Sequence, residues 1–353
     1  MANFKLDKIL RENIKGLKAY ASARDEYVSD GSTMVFLDAN ENPYENGVNR
    51  YPDPQQRGVK SILSSQKNVP ATSILLGNGS DEVLDLIFRA FCEPTQDNII
   101  TLPPTYGMYK VLADINAIEN REVLLDQSFE PDVNEILKIV DKHTKIIFLC
   151  SPNNPTGNTF SEERMLKILK EFNGIVVMDE AYIDFASRAS WMQRIEDFPN
   201  LVVTQTLSKA YGMAGIRLGI CYASPEIITV LNKIKPPYNV NELTQQRAIS
   251  RLSSRDEVSL EIENILQERT KLETSLAAID FVKEVYPSEA NFILAKVDDA
   301  NIRYDQLLKR GIVVRNRSSQ PLCNNTLRFS VGTPDENSVL IKALENLMLT
   351  PVK

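Results

Sequence analysis

The stretch LVVTQTLSKAYGMAGIRLGICYA, residues 201–223, holds two apolar runs joined by a loop of small and polar residues. Both runs, LVVTQ (201–205) and LGICYA (218–223), are mostly apolar throughout, as expected for strands that helices cover on both faces. Runs of the same kind occur at MVFLD (34–38), SILLG (73–77), NIITL (98–102), KIIFLC (145–150) and GIVVMD (174–179). Between several of them, apolar residues recur every three to four positions, for example over 80–92 and 161–172, which predicts helices. This alternation predicts an α/β fold with a doubly wound, mainly parallel central sheet and helices on both of its faces.

The pattern changes after about residue 240. A long helical pattern over 242–279 leads to the apolar runs NFILAK (291–296), IVVR (312–315) and TLRFSV (326–331), and then to a last helix. These elements predict a smaller α+β unit, and the prolines of KPPYN (235–239) mark the expected joint because proline ends a helix. We therefore expect an N-terminal arm over 1–30, a large α/β domain over 31–240 and a small domain over 241–353.

Composition and charge narrow the functional classes. The 353 residues include 40 basic and 47 acidic side chains, so the net charge is −7, whereas a nucleic-acid or anionic-membrane partner favours a basic face. The start, MANFKLDKILREN, has no continuous apolar core, and no apolar stretch approaches the length that spans a bilayer. We expect a soluble cytoplasmic protein without a nucleic-acid or membrane partner.

Cysteine and histidine usage argues against a metal site. The four cysteines lie far apart, without a CxxC pair, at Cys92, Cys150, Cys221 and Cys323. They are typical of buried thiols in a reducing cytoplasm. The only histidine is His143, in a polar turn, which excludes a multi-histidine site. We expect no metal.

Four unusual segments follow predicted strands, at the carboxyl ends where doubly wound sheets bind ligands. They are GNGSDE (77–82), SPNNPTGN (151–158), MDEAYIDF (178–185) and TLSKAYGMAGIRLG (206–219). Each has an ordinary structural explanation: a serine N-cap, a turn, a helix cap, and a lysine whose stem packs on the surface. In the fourth, however, Lys209 lies among small and apolar residues, although its ammonium group is costly to desolvate.

The first segment suits a phosphate, because flexible glycines precede a helix N-terminus with exposed backbone N–H groups. Asp81 and Glu82 weigh against an anion there, so the backbone and Ser80 would have to bind it. Neither GxxxxGK[ST] nor GxGxxG is present, which disfavours a mononucleotide-binding enzyme.

Together, and in this chain order, these segments resemble the site of the fold-type-I pyridoxal-phosphate aminotransferases. The segments that resemble the histidinol-phosphate aminotransferase family are DANENP, NRYP, GNGSDE, PPTYGMY, CSPNNPTG, DEAYIDF, TLSKAYGMAGIRLG and LRFSVGT. The resemblance covers essentially the whole chain. It implies a pyridoxal 5′-phosphate-dependent enzyme of histidine biosynthesis, which converts L-histidinol phosphate and 2-oxoglutarate into imidazole-acetol phosphate and L-glutamate.

The resemblance also implies roles around the cofactor ring. Lys209 matches the lysine that binds the cofactor covalently and carries a proton, and apolar surroundings lower the pKa of such an amine. Asp179 matches the carboxylate that keeps the ring nitrogen protonated. Tyr182 and Asn154 match the residues that hydrogen-bond the phenolic oxygen of the ring, and Tyr106 matches the aromatic residue stacked on its face.

At the cofactor phosphate, the resemblance implies that Ser80 and Asp81 form a turn whose backbone meets the group. Thr206, Ser208 and Arg217 match its remaining donors, with Arg217 as the main charge partner.

The substrate-binding residues implied by the resemblance lie towards both ends of the chain. Arg328 matches an arginine that pairs with a substrate carboxylate. Arg315 matches a second arginine that is directed at the substrate, although Arg315 could instead be an ordinary surface charge. Tyr20 and Asn40 lie in segments that resemble the substrate pocket. Tyr51, in NRYP, resembles a tyrosine that reaches the cofactor phosphate of the neighbouring subunit, which implies a homodimer with shared active sites.

Other functions stay open at this point. Related enzymes of the same fold include aromatic amino-acid aminotransferases and decarboxylases of phosphorylated amino acids. A cofactor-dependent binding module without turnover is an alternative from another class, but the chain has no DNA-binding motif or basic extension to support it.

Overall fold

The computed structural model of the chain describes residues 4–20 and 34–348. The predicted N-terminal arm therefore lies partly outside the described residues. Within its described part are two short helices, α1 (Leu6–Ile9) and α2 (Glu12–Lys15), whose buried residues Ile9 and Ile14 join the core beneath the larger sheet.

Within the described residues the larger sheet has seven strands, and it confirms the α/β prediction. They are β1 (Ile74–Asn78), β2 (Asn98–Thr101), β3 (Glu119–Glu122), β4 (Thr144–Cys150), β5 (Ile175–Asp179), β6 (Leu201–Thr206) and β7 (Leu218–Ala223). Their order is β1-β7-β6-β5-β4-β2-β3. The neighbours from β6 to β3 are parallel, whereas β7 runs antiparallel to both β1 and β6. The sheet is thus mainly parallel, with one reversed strand.

Helices cover both faces of this sheet. They are α3 (Arg57–Lys67), α4 (Gly79–Phe91), α5 (Met108–Ile115), α6 (Val133–Lys138), α7 (Glu162–Glu171) and α8 (Pro225–Ile234). Strand β4 shows the two-sided burial: Ile146 and Phe148 belong to one core cluster, Ile147 and Leu149 to the other. Because successive side chains point to opposite faces, a strand buried on both sides must be apolar at every position.

Two strand assignments in this region differ from the sequence-based prediction. MVFLD (34–38) is not a strand, and the side chains of Val35 and Leu37 are 81% and 86% exposed. Conversely, ENRE forms the edge strand β3, which pairs only with β2. An edge strand has one free side and tolerates polar residues, so its hydropathy pattern carries little signal.

The C-terminal elements build a separate four-stranded sheet. The helices are α9 (Glu242–Ser253), α10 (Arg255–Ala277), α11 (Ala300–Leu308) and α12 (Pro334–Met348), and the strands are β8 (Val282–Val285), β9 (Phe292–Val297), β10 (Arg315–Asn316) and β11 (Thr326–Ser330). The strand order is β10-β11-β9-β8, with every pair antiparallel. The long helical pattern breaks at Ser254 into two helices, and α9 joins the core of the larger sheet through Ala248 and Leu252. Of the predicted strand IVVR (312–315), only Arg315 lies in a strand, at the start of β10.

No helix within residues 4–20 or 34–348 combines the length and the apolar character that crossing a membrane requires. All four cysteines are buried and free.

Candidate active site

One cavity at the carboxyl ends of the parallel strands collects every predicted cofactor-binding residue except Tyr51. Its lining consists of Ser80, Asp81, Tyr106, Cys150, Asn154, Asp179, Ala181, Tyr182, Thr206, Ser208, Lys209 and Arg217. These residues come from the ends of β4, β5 and β6, the N-terminus of α4 and loops after β2, β4, β5 and β6. Parallel strands end at the same edge, so segments far apart in sequence meet there.

Lys209 lies in a tight turn after β6. Gly212 donates a backbone hydrogen bond of 3.0 Å to the carbonyl of Lys209, and the Nζ atom lies 5.6 Å from the ring centroid of Tyr182. Burial lowers the pKa of Lys209, and the positive charges of Arg328 and Arg217 lower it further. The neutral amine therefore forms at a lower pH than in an ordinary lysine, which favours nucleophilic chemistry.

Asp179 ends β5 inside the protein, with only 2% of its surface exposed. Its Oδ2 accepts a 2.6 Å hydrogen bond from the hydroxyl of Tyr109, and its Oδ1 accepts one of 3.2 Å from the backbone N–H of Ala181. Burial raises the pKa of Asp179, although these two hydrogen bonds lower it. No cation among the described residues forms an ion pair with it. A buried carboxylate of this kind suits a cationic ligand, because an unpaired buried charge is costly.

Sequence reasoning missed Tyr109. It lies on α5, three residues after Tyr106, and its ring packs against Phe148 with centroids 4.7 Å apart. Its position on the buried face of an amphipathic helix was the available signal, but that position alone predicts only core packing. The contact that makes it part of the site is to a residue seventy positions later in the chain.

Hydroxyls and a helix N-terminus form the opposite end of the cavity. The hydroxyl of Thr206 donates to that of Ser208 at 2.9 Å, and both lie beside the first turn of α4. The first N–H groups of a helix have no partner within it and carry a partial positive charge. Arg217, with a left-handed backbone (φ 55°), adds its guanidinium. The set of donors matches a phosphate group.

Two glycines bring the backbones close enough to form this end. Gly79 has a φ of +75°, and a Cβ atom there would lie 2.7 Å from the Nη2 of Arg217. A Cβ atom on Gly219 would lie 2.3 Å from backbone atoms of Gly79 and Ser80. Both distances are shorter than real Cβ contacts. At Gly219 the clash is with backbone, so a side chain there would displace the start of α4, whereas at Gly79 a side chain would meet the guanidinium of Arg217 and strain the backbone.

The two acidic residues that weigh against an anion are both held by donors. Asp81 accepts a 3.0 Å hydrogen bond from the hydroxyl of Tyr106 and pairs with Arg217 at 3.4 Å. The Glu82 carboxylate accepts from the backbone N–H of Asn78 at 2.5 Å and from the side chain of Asn239 at 2.9 Å. Asp81 is thus paired with a cation, and Glu82 is held by neutral donors outside the cavity lining.

The SPNNPTGN loop supplies Asn154 and connects it to the smaller sheet. Asn153 anchors the loop, since its amide donates to the carbonyl of Pro104 at 2.9 Å. The Oδ1 of Asn154 accepts a hydrogen bond from the Nη1 of Arg328. The amide nitrogen of Asn154 is thereby oriented as the donor that a phenolic oxygen requires. Burial, followed by the charge of Arg317, lowers the pKa of Arg328 to about 10.

The remaining predicted residues do not line this cavity within a single chain. Tyr20 is 74% exposed, and Tyr51 is 51% exposed and stacks on Tyr238 with ring centroids 4.6 Å apart. Asn40 and Tyr51 border a different groove, which also includes Asn241 to Leu243. Arg315 is exposed and lies directly across the strand pair from Arg328.

The chain matches the family of class I and II aminotransferases over residues 36–344. It is similar to the histidinol-phosphate aminotransferase of Flavobacterium johnsoniae, with 64% identity over 98% of this chain and 100% of that protein. Among solved structures, the histidinol-phosphate aminotransferase of Clostridium acetobutylicum superposes with a TM-score of 0.79 at 25% identity, over 86% of this chain and 91% of that one. The enzyme of Sinorhizobium meliloti, solved in complex with pyridoxal-5′-phosphate, gives a TM-score of 0.79 at 24% identity, over 85% and 83% of the two chains. The family match spans both sheets.

Proposed function

The chain belongs to the family of class I and II aminotransferases, and on this basis we propose that it transfers the amino group of L-histidinol phosphate to 2-oxoglutarate. The products are imidazole-acetol phosphate and L-glutamate, in the biosynthesis of histidine. The observation that carries the proposal is the cavity in which the lowered-pKa amine of Lys209 lies between a buried carboxylate and a set of phosphate donors.

Pyridoxal 5′-phosphate is the cofactor of this family, and the residues present fit it. The hydroxyls of Ser80, Thr206 and Ser208, the first turn of α4 and Arg217 would hold its phosphate. Gly219 supports this assignment, because a Cβ atom there would clash with the backbone of Gly79 and Ser80 at the start of α4. Asp179 would face the ring nitrogen. When bound, the cofactor supplies an electron sink for the pair of electrons left at the substrate Cα after deprotonation.

Lys209 would serve both as the point of covalent attachment and as the proton carrier. Its Nζ would accept and hold the proton that is removed from the substrate Cα. A base works best when its pKa lies near the working pH, and burial together with Arg328 and Arg217 moves Lys209 in that direction.

Asp179 and Tyr109 would act as a unit on the ring nitrogen. Asp179 stabilises a protonated nitrogen by its charge, and Tyr109 keeps the carboxylate in place and favours its ionised form. Tyr182 and Asn154 would hydrogen-bond the phenolic oxygen, and Tyr106 would cover the ring face. The contact from Arg328 to Asn154 supports the role of Asn154, since it leaves the amide nitrogen as the donor.

The two amino donors share one site, and Arg328 would bind an anionic group of each. Its guanidinium forms a fork that fits a carboxylate or a phosphate. Arg315, opposite it on β10, would add positive charge. Tyr20 and Asn40 would reach the substrate in the homodimer that is proposed below.

We also propose a cytoplasmic homodimer with shared sites. Exposed apolar and aromatic side chains near the N-terminus support it, among them Val35, Leu37, Tyr44 and Tyr51. Tyr51 would reach the cofactor phosphate of the other subunit. The buried, free cysteines agree with a reducing compartment.

The division into an arm (1–30), a large domain (31–240) and a small domain (241–353) is retained as a proposal. Its support is the separate core of the smaller sheet, built from residues between Leu272 and Leu347.

The test of this function is a comparison of amino donors. Purified protein loaded with pyridoxal 5′-phosphate is given 2-oxoglutarate and one donor, and glutamate formation is measured. L-Histidinol phosphate should give the highest kcat/KM, well above L-phenylalanine and unphosphorylated L-histidinol. A preference for the aromatic amino acid, or release of carbon dioxide from a phosphorylated amino acid without glutamate formation, would refute the assignment. The matched inactive control is Lys209→Ala.

A further inference from the structure

Three arginines share one face of the small sheet. Arg315 on β10 lies opposite Arg328 on β11, and the backbone N–H of Arg317 donates to the carbonyl of Thr326 at 3.0 Å, which extends the same ladder. Directly opposed residues of an antiparallel pair point to the same face, as do residues two positions apart. The side chains of Arg315, Arg317 and Arg328 therefore project from the same face.

Their positive charges are not compensated in the part of the chain that the structure describes. Across residues 4–20 and 34–348, no carboxylate forms an ion pair with Arg315, Arg317 or Arg328. The Nε atoms of Arg317 and Arg328 are buried and have no hydrogen-bond partner among the described residues. Like charges placed directly opposite each other destabilise a strand pair. Such a local conflict is expected where a ligand supplies the missing charge.

Arg317 differs from Arg315 in its depth. Arg315 is exposed, whereas Arg317 is half-buried. Burial lowers the pKa of Arg317, and the charge of Arg315 lowers it further. The charge of Arg317 in turn acts on Arg328 and on Tyr182, which lines the cavity. Arg317 is thus within electrostatic range of Arg328 and of the cavity wall at Tyr182.

We propose that Arg317 binds the phosphate of the amino donor and makes the site prefer a phosphate monoester to a carboxylate. The inference rests on the proposed function and adds a residue to it. In glutamate the α-carboxylate carbon is bonded directly to Cα, whereas in histidinol phosphate a methylene and an oxygen separate the phosphorus from Cα. The phosphate therefore extends beyond the position where Arg328 meets a carboxylate. It also carries more charge and one more terminal oxygen, which a second guanidinium can bind.

The two half-reactions separate this role from a general structural one. In Arg317→Gln, kcat/KM for L-histidinol phosphate should fall by roughly ten- to a hundredfold, mainly through KM, because charge-assisted hydrogen bonds to the phosphate are lost. The half-reaction with L-glutamate should change by no more than about twofold, since it loses no such contact. Arg317→Lys should recover part of the loss, because it restores the charge without the planar fork. Arg310→Gln removes an exposed charge at the end of α11 and is the matched control.

Equal losses in both half-reactions, or none in either, would overturn the role. A second measurement works even if histidinol phosphate is not a substrate: inhibition of the glutamate half-reaction by inorganic phosphate. Its inhibition constant should rise in Arg317→Gln by about tenfold, while that of succinate stays within about twofold of wild type. If phosphate inhibits wild type and variant equally, or inhibits neither, Arg317 does not bind it. Failure of wild type to use histidinol phosphate, with the phosphate effect intact, would refute only the proposed function.

Discussion

The hydroxyl of Tyr109 lies 2.6 Å from the Oδ2 of Asp179 and donates to it in a fully buried setting. Burial raises the pKa of Asp179, and this hydrogen bond opposes the rise. The hydrogen bond therefore favours the ionised carboxylate, whereas the apolar environment favours its neutral form.

Tyr109→Phe should lower kcat by about tenfold, because a hydrogen bond to a charged group contributes roughly 1.5–3 kcal/mol and part of this supports the ionised carboxylate. Without that bond the pKa of Asp179 rises further. The neutral carboxyl then persists to higher pH, so the acid limb of the kcat–pH profile should move to higher pH. The ring still packs against Phe148, so the melting temperature should change little. Tyr304→Phe, in the core of the smaller sheet, is the control. An unchanged profile would argue against the coupling of these two residues.

Lys209→Ala should bind pyridoxal 5′-phosphate without covalent attachment and lose nearly all turnover. Borohydride reduction of the wild type, followed by peptide mapping, should place the label on Lys209 alone. Lys60 is an internal control, because burial lowers its pKa to about 8 although it lies outside the cavity. Labelling of Lys60 would mean that a low pKa, and not position, selects the lysine.

Mixed dimers test whether Tyr51 acts across the subunit interface. One chain carries Lys209→Ala and the other Tyr51→Phe. If Tyr51 serves the partner's site, one site carries both defects and the other neither, and about half of normal activity remains. If it serves its own chain, both sites are damaged. One site would then lack Lys209 and the other the Tyr51 hydroxyl, so about half of the activity of the Tyr51→Phe homodimer would be observed.

Arg328→Lys should impair both half-reactions, since an ammonium point charge loses the bidentate geometry and the contact with Asn154. We expect kcat/KM to fall by roughly ten- to a hundredfold for each donor. Single-turnover spectroscopy follows the two separately. Wild-type efficiency with both donors would exclude the shared anion site, whereas a loss confined to histidinol phosphate would reassign Arg328 to the phosphate alone.

The parallel core was predictable because β4 and β5 are buried on both faces and therefore apolar over most of their length. The edge strand β3 was not predictable. Its residues are polar because one side of an edge strand is free, so they show no apolar strand pattern. For the cavity, the residues that follow strand ends could be grouped from sequence, since parallel strands end at one edge. Tyr109 and Arg317 could not. Their significance depends on a contact with a distant strand and on the pairing of β10 with β11, neither of which a local pattern encodes.

The hydrogen bond from Arg328 to Asn154 joins the smaller sheet to the loop after β4. An anion that engages Arg328 competes with this bond, and a ring oxygen that engages Asn154 alters the same bond from the other side. The two binding events consequently share a coupling free energy, and linkage requires it to be reciprocal. By whatever factor an anion at Arg328 changes the affinity for the cofactor, the cofactor changes the affinity for that anion by the same factor.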